Sequence, residues 1–337
     1  MRKKRSVVGM FRVGIVGCGG IAQVHAAVLS RIEETRLAAC ADIVPQRAAA
    51  LAEKYGCRAY ASMEEMLSGE RLDAVHLCTP HFLHAPMTAL AAERGIAVLT
   101  EKPPVISRAQ WAQMEAAAAK APVGVCFQNR YNLNVAEARR LIAGGQYGPV
   151  RGARAFVTWS RGVPYYADSP WRGAWSSEGG SALINQAIHT LDLLVLLLGS
   201  PGGAETRMAN HHLKGVIETE DTVEARLILG GKPALFYAST AYAADAPVLL
   251  EVQLEKAALR LEEGELAIRT AAGVERRRFE APQPLGKDYW GNGHLPCIQD
   301  FYRCLKTGAP FMNRLEAVRD TALLVLDMYE QGRKSLA

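Results

Sequence analysis

Hydrophobic residues in the first 130 positions follow two alternating patterns. Short runs rich in β-branched residues predict five strands, at 12–16, 36–41, 74–78, 97–100 and 123–127. Between these runs, apolar positions recur at helical spacing and predict helices at 22–32, 46–55, 85–93 and 108–119. Strands that alternate with helices form parallel sheets, so this half predicts an α/β domain with a doubly wound sheet.

The pattern changes after about residue 131. One amphipathic helix is predicted at 135–143, followed by strands at 150–160, 222–229, 234–241, 248–254 and 258–262. Consecutive strands joined by turns such as Gly230-Gly231 predict a mainly antiparallel sheet, so the second half is an α+β domain. Two further helices are predicted, at about 180–198 and 313–332.

Composition narrows the class of protein. The chain has 39 Lys and Arg against 34 Asp and Glu, and four of the basic residues form one run at 2–5. The rest is nearly neutral, which argues against a nucleic-acid partner. We find no export signal and no apolar stretch near the ~20 residues that span a bilayer. Seven cysteines without a CxxC pair favour reduced thiols, a cytoplasmic location and no zinc cluster.

A glycine-rich turn, Gly17-Cys18-Gly19-Gly20-Ile21-Ala22, joins the first predicted strand to the first predicted helix. In this position glycines allow a tight turn and the approach of a pyrophosphate, which the helix amides face. Asp42 ends the second strand, where a carboxylate binds ribose hydroxyls and repels a 2′-phosphate. This favours NAD over NADP, although Arg47 nearby would soften the preference. The alternative is a packing turn with Asp42 as a helix cap.

Lys102 lies between Glu101 and Pro103, at the carboxyl end of a predicted parallel strand. Open α/β sheets bind their ligands at this edge, so Lys102 is a candidate to hold or move the proton of a substrate hydroxyl. The alternative is a surface lysine without a role in the site. Gln128, Asn129 and Arg130 follow the last strand of this half and are expected near the substrate or Lys102.

Three polar residues share one face of the apolar helix predicted near 180–198: Asn185, His189 and Asp192. Imidazole titrates near neutral pH and suits proton transfer, while Asn185 binds a hydroxyl without charge. A structural core histidine is the alternative for His189, and a metal ligand is disfavoured because no third ligand is visible. We interpret three other histidines as structural: His25, His76 and His84.

An aromatic segment with two arginines precedes this helix and contains Trp159, Arg161, Tyr165, Tyr166, Trp171, Arg172 and Trp175. Aromatic faces pack on the C–H side of a sugar ring while arginines bind its hydroxyls, so the segment is a candidate wall of a sugar site. The alternative is a set of aromatic residues that covers the edge of a sheet.

Several segments together resemble the Gfo/Idh/MocA family of dehydrogenases. They are Gly17 to His25, Thr79-Pro80-His81-Phe82-Leu83-His84, Glu101-Lys102-Pro103, Gly179-Gly180 through Asn185 and His189 to Asp192, and Tyr289-Trp290-Gly291-Asn292-Gly293-His294. The resemblance runs from about residue 11 to 330. Ser181 replaces a third glycine, His81 replaces a frequent asparagine, and Asn185 stands where inositol dehydrogenases carry an aspartate. The last change shifts proton transfer onto Lys102 and His189.

The resemblance implies an NAD(P)-dependent oxidoreductase that moves a hydride between the nicotinamide and a CH–OH or carbonyl carbon of a sugar, sugar derivative or cyclic polyol. The implied catalytic residues are Lys102 and His189. The implied substrate-binding residues are Asn185, Arg130, Trp171, Arg172 and His294. The implied cofactor-binding residues are Gly17, Cys18, Gly19, Gly20, Ile21, Ala22, Asp42, Arg47, Thr79, Pro80, His81, His84, Glu101, Lys102 and Gln128. No metal is implied.

The expected organisation is a flexible basic tail at 1–10, an NAD(P)-binding Rossmann domain at 11–128, an α+β domain for substrate and oligomerisation at 129–312, and a C-terminal helix at 313–337. The resemblance also implies a homodimer or homotetramer formed through the C-terminal sheet, without nucleic-acid or membrane partners. Two alternative functions remain: a redox-neutral, NAD-dependent glycosidase, and a non-catalytic, dinucleotide-binding regulator that responds to sugars.

Overall fold

The computed structural model of the chain describes residues 9–279 and 293–336. Three parts of the sequence predictions lie outside these ranges, namely residues 1–8 of the basic tail, the motif residues Tyr289, Trp290, Gly291 and Asn292, and Ala337 at the end of the predicted C-terminal helix. Across the described ranges, no helix is both long and apolar enough to cross a bilayer.

The first sheet is parallel and, within the described ranges, has six strands in the order β3-β2-β1-β4-β5-β6. They are β1 (Phe11–Val16), β2 (Thr35–Ala41), β3 (Arg58–Tyr60), β4 (Ala74–Leu77), β5 (Ala97–Thr100) and β6 (Val123–Val125). The five predicted strands are present as β1, β2, β4, β5 and β6, whereas β3 was not predicted, because it is an edge strand of three residues and too short to show a period. The strand order reverses between β1 and β4, the crevice where dinucleotides bind in such sheets.

Five helices belong to this sheet: α1 (Gly20–Leu29), α2 (Pro45–Tyr55), α3 (Met63–Gly69), α4 (His84–Glu93) and α5 (Arg108–Ala118). Helix α3 is not predicted by the sequence pattern, because it has fewer than two turns. Its start is capped by the Ser62 side chain, which accepts a hydrogen bond from the Glu65 amide. Its apolar face buries Met63, Met66 and Leu67 against the sheet core. The predicted α/β class of this half is confirmed.

The second sheet has eight strands among the described residues, in the order β14-β13-β12-β11-β7-β10-β9-β8. They are β7 (Val150–Thr158), β8 (Pro201–Ala209), β9 (Thr222–Leu229), β10 (Lys232–Ser239), β11 (Leu249–Leu254), β12 (Ala258–Glu262), β13 (Glu265–Thr270) and β14 (Gly273–Arg278). Only the β7–β10 pair is parallel within this described sheet, so the predicted mainly antiparallel sheet is confirmed. Three strands were not predicted: β8, β13 and β14.

The remaining helices are α6 (Leu133–Gly144), α7 (Val163–Ala167), α8 (Ile188–Leu198), α9 (His294–Thr307) and α10 (Leu315–Gly332). A π-helix, Ala182–Ala187, leads into α8, where the sequence predicted one continuous helix. The segment of α9 was assigned to the second domain, yet Cys297, Ile298 and Phe301 pack into the core of the first sheet. The end of the chain therefore ties the two domains together beside the crevice.

Candidate active site

A cleft of about 1860 Å³ lies at the carboxyl ends of the first sheet and reaches the second domain. Its lining includes residues that follow β1, β2, β4, β5 and β6, and residues of the aromatic segment and α8. A single small molecule typically needs ~300–1,000 Å³. The cleft therefore has room for a dinucleotide and a second, smaller molecule side by side.

The glycine turn forms one end of this cleft. Gly17 has φ +83°, and a Cβ there would lie 2.6 Å from the carbonyl oxygen of Cys78, so only glycine fits. A Cβ on Gly19 or Gly20 would meet nothing within 4 Å, which leaves the backbone open to an approaching phosphate. No side chain at Gly19 caps α1, so the first helix amides can bind an anion.

Asp42 is tied to this turn. One carboxylate oxygen accepts a hydrogen bond from the Cys18 amide at 2.7 Å, and the other accepts from the Val44 amide at 2.8 Å. Asp42 lines the cleft and Arg47 lies exposed at its rim. The turn, its open amides and this carboxylate fit the pyrophosphate and the adenosine ribose of a dinucleotide.

A buried chain of hydrogen bonds supports the loop after β5. The Glu101 carboxylate lies 2.9 Å from His25 Nε2, His25 Nδ1 lies 2.8 Å from His76 Nδ1, and His76 Nε2 lies 2.8 Å from the Tyr302 hydroxyl. Burial acts to lower the pKa of His25, but hydrogen bonds with Cys126 and Glu101 raise it to about 10. A positive His25 therefore holds Glu101 in place, next to Lys102.

Lys102 points into the cleft from this loop. Its Nζ donates to the backbone oxygen of Asn185 at 2.9 Å and to Asn185 Oδ1 at 3.3 Å. Burial lowers the pKa of Lys102 from its ordinary value, while the negative charges of Glu101 and Glu178 act in the opposite direction. The resulting site contains a lysine that exchanges its proton more readily than an exposed one.

His189 lines the same cleft and packs edge-on against Phe127, with ring centroids 5.7 Å apart. Its Nε2 lies 3.4 Å from Gln128 Nε2, and its buried Nδ1 has no hydrogen-bond partner among the described residues. Burial and the nearby positive charge of Lys102 lower the pKa of His189 to about 3. Burial likewise lowers the pKa of the cleft residue His294 to about 4. Both imidazoles are therefore neutral at pH 7.

The aromatic segment forms the opposite wall. Trp171 packs against His81, with ring centroids 4.7 Å apart. The Arg172 guanidinium lies 4.1 Å from the centroid of the Tyr165 ring and donates to the Tyr165 carbonyl oxygen at 3.1 Å. These residues line the cleft, together with Trp159 and Arg161. Two others pack elsewhere: Tyr166 against Leu213 and Ile217, and Trp175 against Tyr329 and Arg333.

Two models of one protein family match the chain in sequence. The oxidoreductase family with an NAD-binding Rossmann fold matches residues 11–128, and the GFO/IDH/MocA C-terminal domain matches residues 135–260. The chain belongs to the GFO/IDH/MocA family. Its first domain is thus an NAD-binding Rossmann domain, in agreement with the geometry of the glycine turn and Asp42.

Individual relatives agree with this placement. The D-glucoside 3-dehydrogenase of Escherichia coli strain K12 is 32% identical over 56% of this chain and 54% of the relative. The inositol 2-dehydrogenase of Rhizobium meliloti strain 1021 is 30% identical over 56% and 55%. The matches thus span about half the length of these curated relatives. The WlbA dehydrogenase of Bordetella pertussis, in complex with NADH and UDP-GlcNAcA, has a TM-score of 0.84 and 25% identity, over 97% of this chain and 98% of that one.

The structure brings most of the predicted site residues of this GFO/IDH/MocA protein to one cleft: Gly17, Gly19, Gly20, Ile21, Asp42, Arg47, Thr79, Pro80, His81, Glu101, Lys102, Gln128, Trp171, Arg172, Asn185, His189 and His294. Four others do not line the cleft. Cys18 and Ala22 are buried under the turn, where they pack against the first sheet. The ring nitrogens of His84 lie 2.8 Å from the Thr79 carbonyl and 2.7 Å from the Pro103 carbonyl, so His84 braces two loops.

Arg130 is the fourth predicted residue that does not line the cleft. It is 3% exposed, and its guanidinium binds both carboxylate oxygens of Asp192 at 2.5 and 2.7 Å. Asp192 also accepts from the Thr321 hydroxyl at 2.8 Å. The sequence placed Asp192 on one helix face with Asn185 and His189, but its carboxylate is bound in the core and, unlike theirs, its side chain does not line the cleft. The guanidinium of Arg130 is thus occupied by an ion pair in the core and does not line the cleft.

Glu178 is a site residue that the sequence pattern does not predict. It is fully buried and accepts a hydrogen bond from Asn185 Nδ2 at 2.6 Å. The signal was an acidic residue directly before the Gly179-Gly180 pair and the apolar helical segment. A lone charge in that place needs a partner, because burial of an unpaired carboxylate is costly.

Proposed function

We propose that this chain transfers a hydride between NAD and a CH–OH or carbonyl carbon of a sugar, sugar derivative or cyclic polyol. The observation that carries the proposal is the meeting of Lys102, Asn185 and His189 in one cleft with the glycine turn. The names of two relatives, a glucoside 3-dehydrogenase and an inositol 2-dehydrogenase, support the substrate class. When bound, NAD supplies the group that accepts the hydride.

In this proposal Lys102 handles the hydroxyl proton. The Lys102 amine accepts it during oxidation, and the ammonium returns it during reduction. The lowered pKa of Lys102 increases the amine fraction near neutral pH. His189 has a pKa of about 3, too low for an efficient base, so we assign it the orientation of the hydroxyl through a neutral ring nitrogen. This assignment differs from the expectation from sequence, in which Lys102 and His189 share the proton transfer.

The substrate would lie between Lys102 and the aromatic wall. Trp171 offers a face for the C–H side of a ring, and Arg172 and His294 offer hydrogen-bonding groups in the same cleft. At the other end, the negative charge of Asp42 would favour NAD over NADP, because a 2′-phosphate beside it adds like-charge repulsion.

The test is a screen of sugars, alkyl glucosides and inositols with NAD, read as NADH absorbance and as the position of the new carbonyl by NMR. A matched reaction with the Lys102→Met variant controls for background reduction. Cleavage of a glucoside without NADH accumulation would replace the proposal by the redox-neutral glycosidase. Tight NAD binding without turnover of any compound would replace it by the regulator.

We also propose a cytoplasmic homodimer or homotetramer that assembles through the open face of the second sheet. Leu235 is 52% exposed and Ile228 37% exposed on that face, on the neighbouring strands β10 and β9. All seven cysteines are free thiols, which supports the location. Light scattering should show the oligomer for the native chain and a smaller species for Leu235→Glu, since a buried unpaired charge opposes association. A native monomer would contradict the assembly.

A further inference from the structure

Glu178 closes a polar chain that begins at Lys102. The Glu178 side chain is fully buried, between the aromatic wall and the π-helix. One carboxylate oxygen accepts from Asn185 Nδ2 at 2.6 Å, and the other accepts from the Gly173 amide at 2.6 Å. Asn185 in turn accepts from Lys102 Nζ. A single amide side chain therefore joins a buried carboxylate to the lysine in the cleft.

The two partners fix the direction of this amide. A carboxylate can only accept hydrogen bonds, and an ammonium can only donate them. Asn185 must then turn its NH₂ group toward Glu178 and its oxygen toward Lys102, which is the arrangement in the structure. If Glu178 were neutral, the amide would lose the charged acceptor that holds its NH₂ group toward Glu178 and its oxygen toward Lys102.

We propose that Glu178 is a positioning residue that acts through Asn185: its carboxylate orients the amide and stabilises the ammonium form of Lys102. Through Asn185, Glu178 thereby supplies the stabilising negative charge that an aspartate at position 185 would place directly beside Lys102. The inference rests on the role assigned to Lys102 in the proposed function, and its first test below needs no substrate.

Electrostatics agree with this geometry. Burial raises the pKa of Glu178 to about 7, although hydrogen bonds from Gly173 and Asn185 act to lower it. The other charged or titratable groups that face Glu178 are Lys102, Arg172, Glu220, Tyr165, Tyr166, Tyr329 and His81. Those that face Lys102 are Glu101, Cys126, Arg172, His81, His84, His189 and His294.

A negative Glu178 favours the ammonium and raises the pKa of Lys102. Its loss removes this contribution, so the pKa of Lys102 falls and the reactive amine is present at lower pH. An opposite charge at close range is worth ~1–3 pH units, and because an amide separates these two groups we expect a shift of about one unit.

The first test is the pH dependence of Lys102 acetylation, measured on the whole protein by peptide mass spectrometry. The exposed Lys306 serves as an internal reference. We expect the Lys102 reactivity curve of Glu178→Gln to move about one unit to lower pH. The matched control is Glu220→Gln, another fully buried glutamate, which binds the Tyr329 hydroxyl at 2.7 Å. The Lys102 curve of the control should stay where it is in the native chain.

A rescue variant separates charge from damage to the fold. Asn185→Asp in the Glu178→Gln background places a carboxylate directly beside Lys102, so the curve should return to the native pH or above it. An unchanged curve in Glu178→Gln, or an equal shift in Glu220→Gln, overturns the proposal. If Glu178→Gln fails to fold, Asn185→Leu cuts the same chain and should give the same direction of shift.

Turnover provides the second readout. If a sugar is oxidised, the rise of kcat with pH should shift to lower pH in Glu178→Gln, in parallel with the acetylation curve. A shifted acetylation curve without oxidation of any substrate would support the role of Glu178 and reject the proposed function. A turnover profile that keeps its native pH dependence in Glu178→Gln would reject the role of Glu178 alone.

Discussion

The polar residues on two sides of one helical segment have opposite surroundings. Asn185 and His189 face the cleft, and the buried Nδ1 of His189 lacks a hydrogen-bond partner among the described residues. Asp192, three residues after His189, faces the core, where Arg130 and Thr321 take up its carboxylate oxygens. One side leaves hydrogen-bonding capacity for a ligand, whereas the other uses its capacity to hold the fold.

The difference shows how burial alone fails to identify a functional residue. Arg130 with Asp192 and Lys102 with Glu178 both pair a cation with an anion in the interior. In the first pair the two charged groups touch and share two hydrogen bonds. In the second pair an amide separates the charges, and each group is left with a pKa displaced toward neutrality. Groups of the second kind are suited to proton transfer.

The largest effect is expected on the core side. Asp192→Leu leaves the Arg130 guanidinium buried without its partner, so the free energy of unfolding should fall by about 3–5 kcal/mol. The measurement is chemical denaturation followed by circular dichroism. The control is Glu251→Ala, which breaks the more exposed Arg154–Glu251 pair and should cost about 0–1 kcal/mol. Equal losses of unfolding free energy in the two variants would contradict the difference expected between the buried and the exposed ion pair.

The double variant with Arg130→Met and Asp192→Leu sharpens this prediction. It replaces both charges by apolar groups of similar size, so it should recover most of the lost stability. Recovery would show that the cost lies in the unpaired charge. A double variant as unstable as Asp192→Leu would mean that the pair itself contributes its hydrogen bonds to stability.

The next effect belongs to the cleft side. Lys102→Met keeps the length of the side chain but removes its proton and charge, so turnover should fall about 10²-fold, or about 2.7 kcal/mol in the barrier. NAD affinity, measured by calorimetry, and the free energy of unfolding should stay close to native. Activity within a few-fold of native would show that Lys102 is structural and would reject the proposed mechanism.

The variant His189→Ala tests which of the two residues, Lys102 or His189, transfers the proton. If His189 only orients the hydroxyl, its loss should lower turnover and keep the rise of rate with pH that belongs to Lys102. Should that rise disappear in His189→Ala while the variant remains folded and binds NAD, the proton would belong to His189 instead.

The smallest effect is expected at the glycine turn. Asp42→Asn removes a charge but keeps an oxygen for the Cys18 amide, so the preference for NAD over NADP should narrow about tenfold, or about 1.4 kcal/mol. Titration of both cofactors measures it. Arg47→Ala is the matching variant at the rim of the cleft and should weaken the binding of NADP more than the binding of NAD. Tighter NADP binding by the native chain would contradict the role of Asp42.

Local pattern was sufficient for much of this molecule. The glycine turn, Asp42 and Lys102 were all predicted from a strand signal followed at once by an unusual residue, because the ends of parallel strands meet at one edge. The missed strands have physical causes as well. β8 begins with Pro201-Gly202-Gly203, which favours a loop, and β14 is mostly exposed and rich in arginine. Their pairing partners supply the hydrogen bonds that local propensity does not.

The sequence by itself determined the α/β and α+β halves, the dinucleotide turn and the residues that could carry proton chemistry. Only the tertiary structure decided how these residues pair. Arg130 had the same chemical type as Arg172, yet one closes an ion pair in the core and the other lines the cleft. Glu178 acquired its relation to Lys102 from the fold, since the two lie 76 positions apart and meet through Asn185. Spacing along a chain predicts a shared face only within one regular helix or strand, and the partner of a side chain comes from a distant segment that only packing brings near.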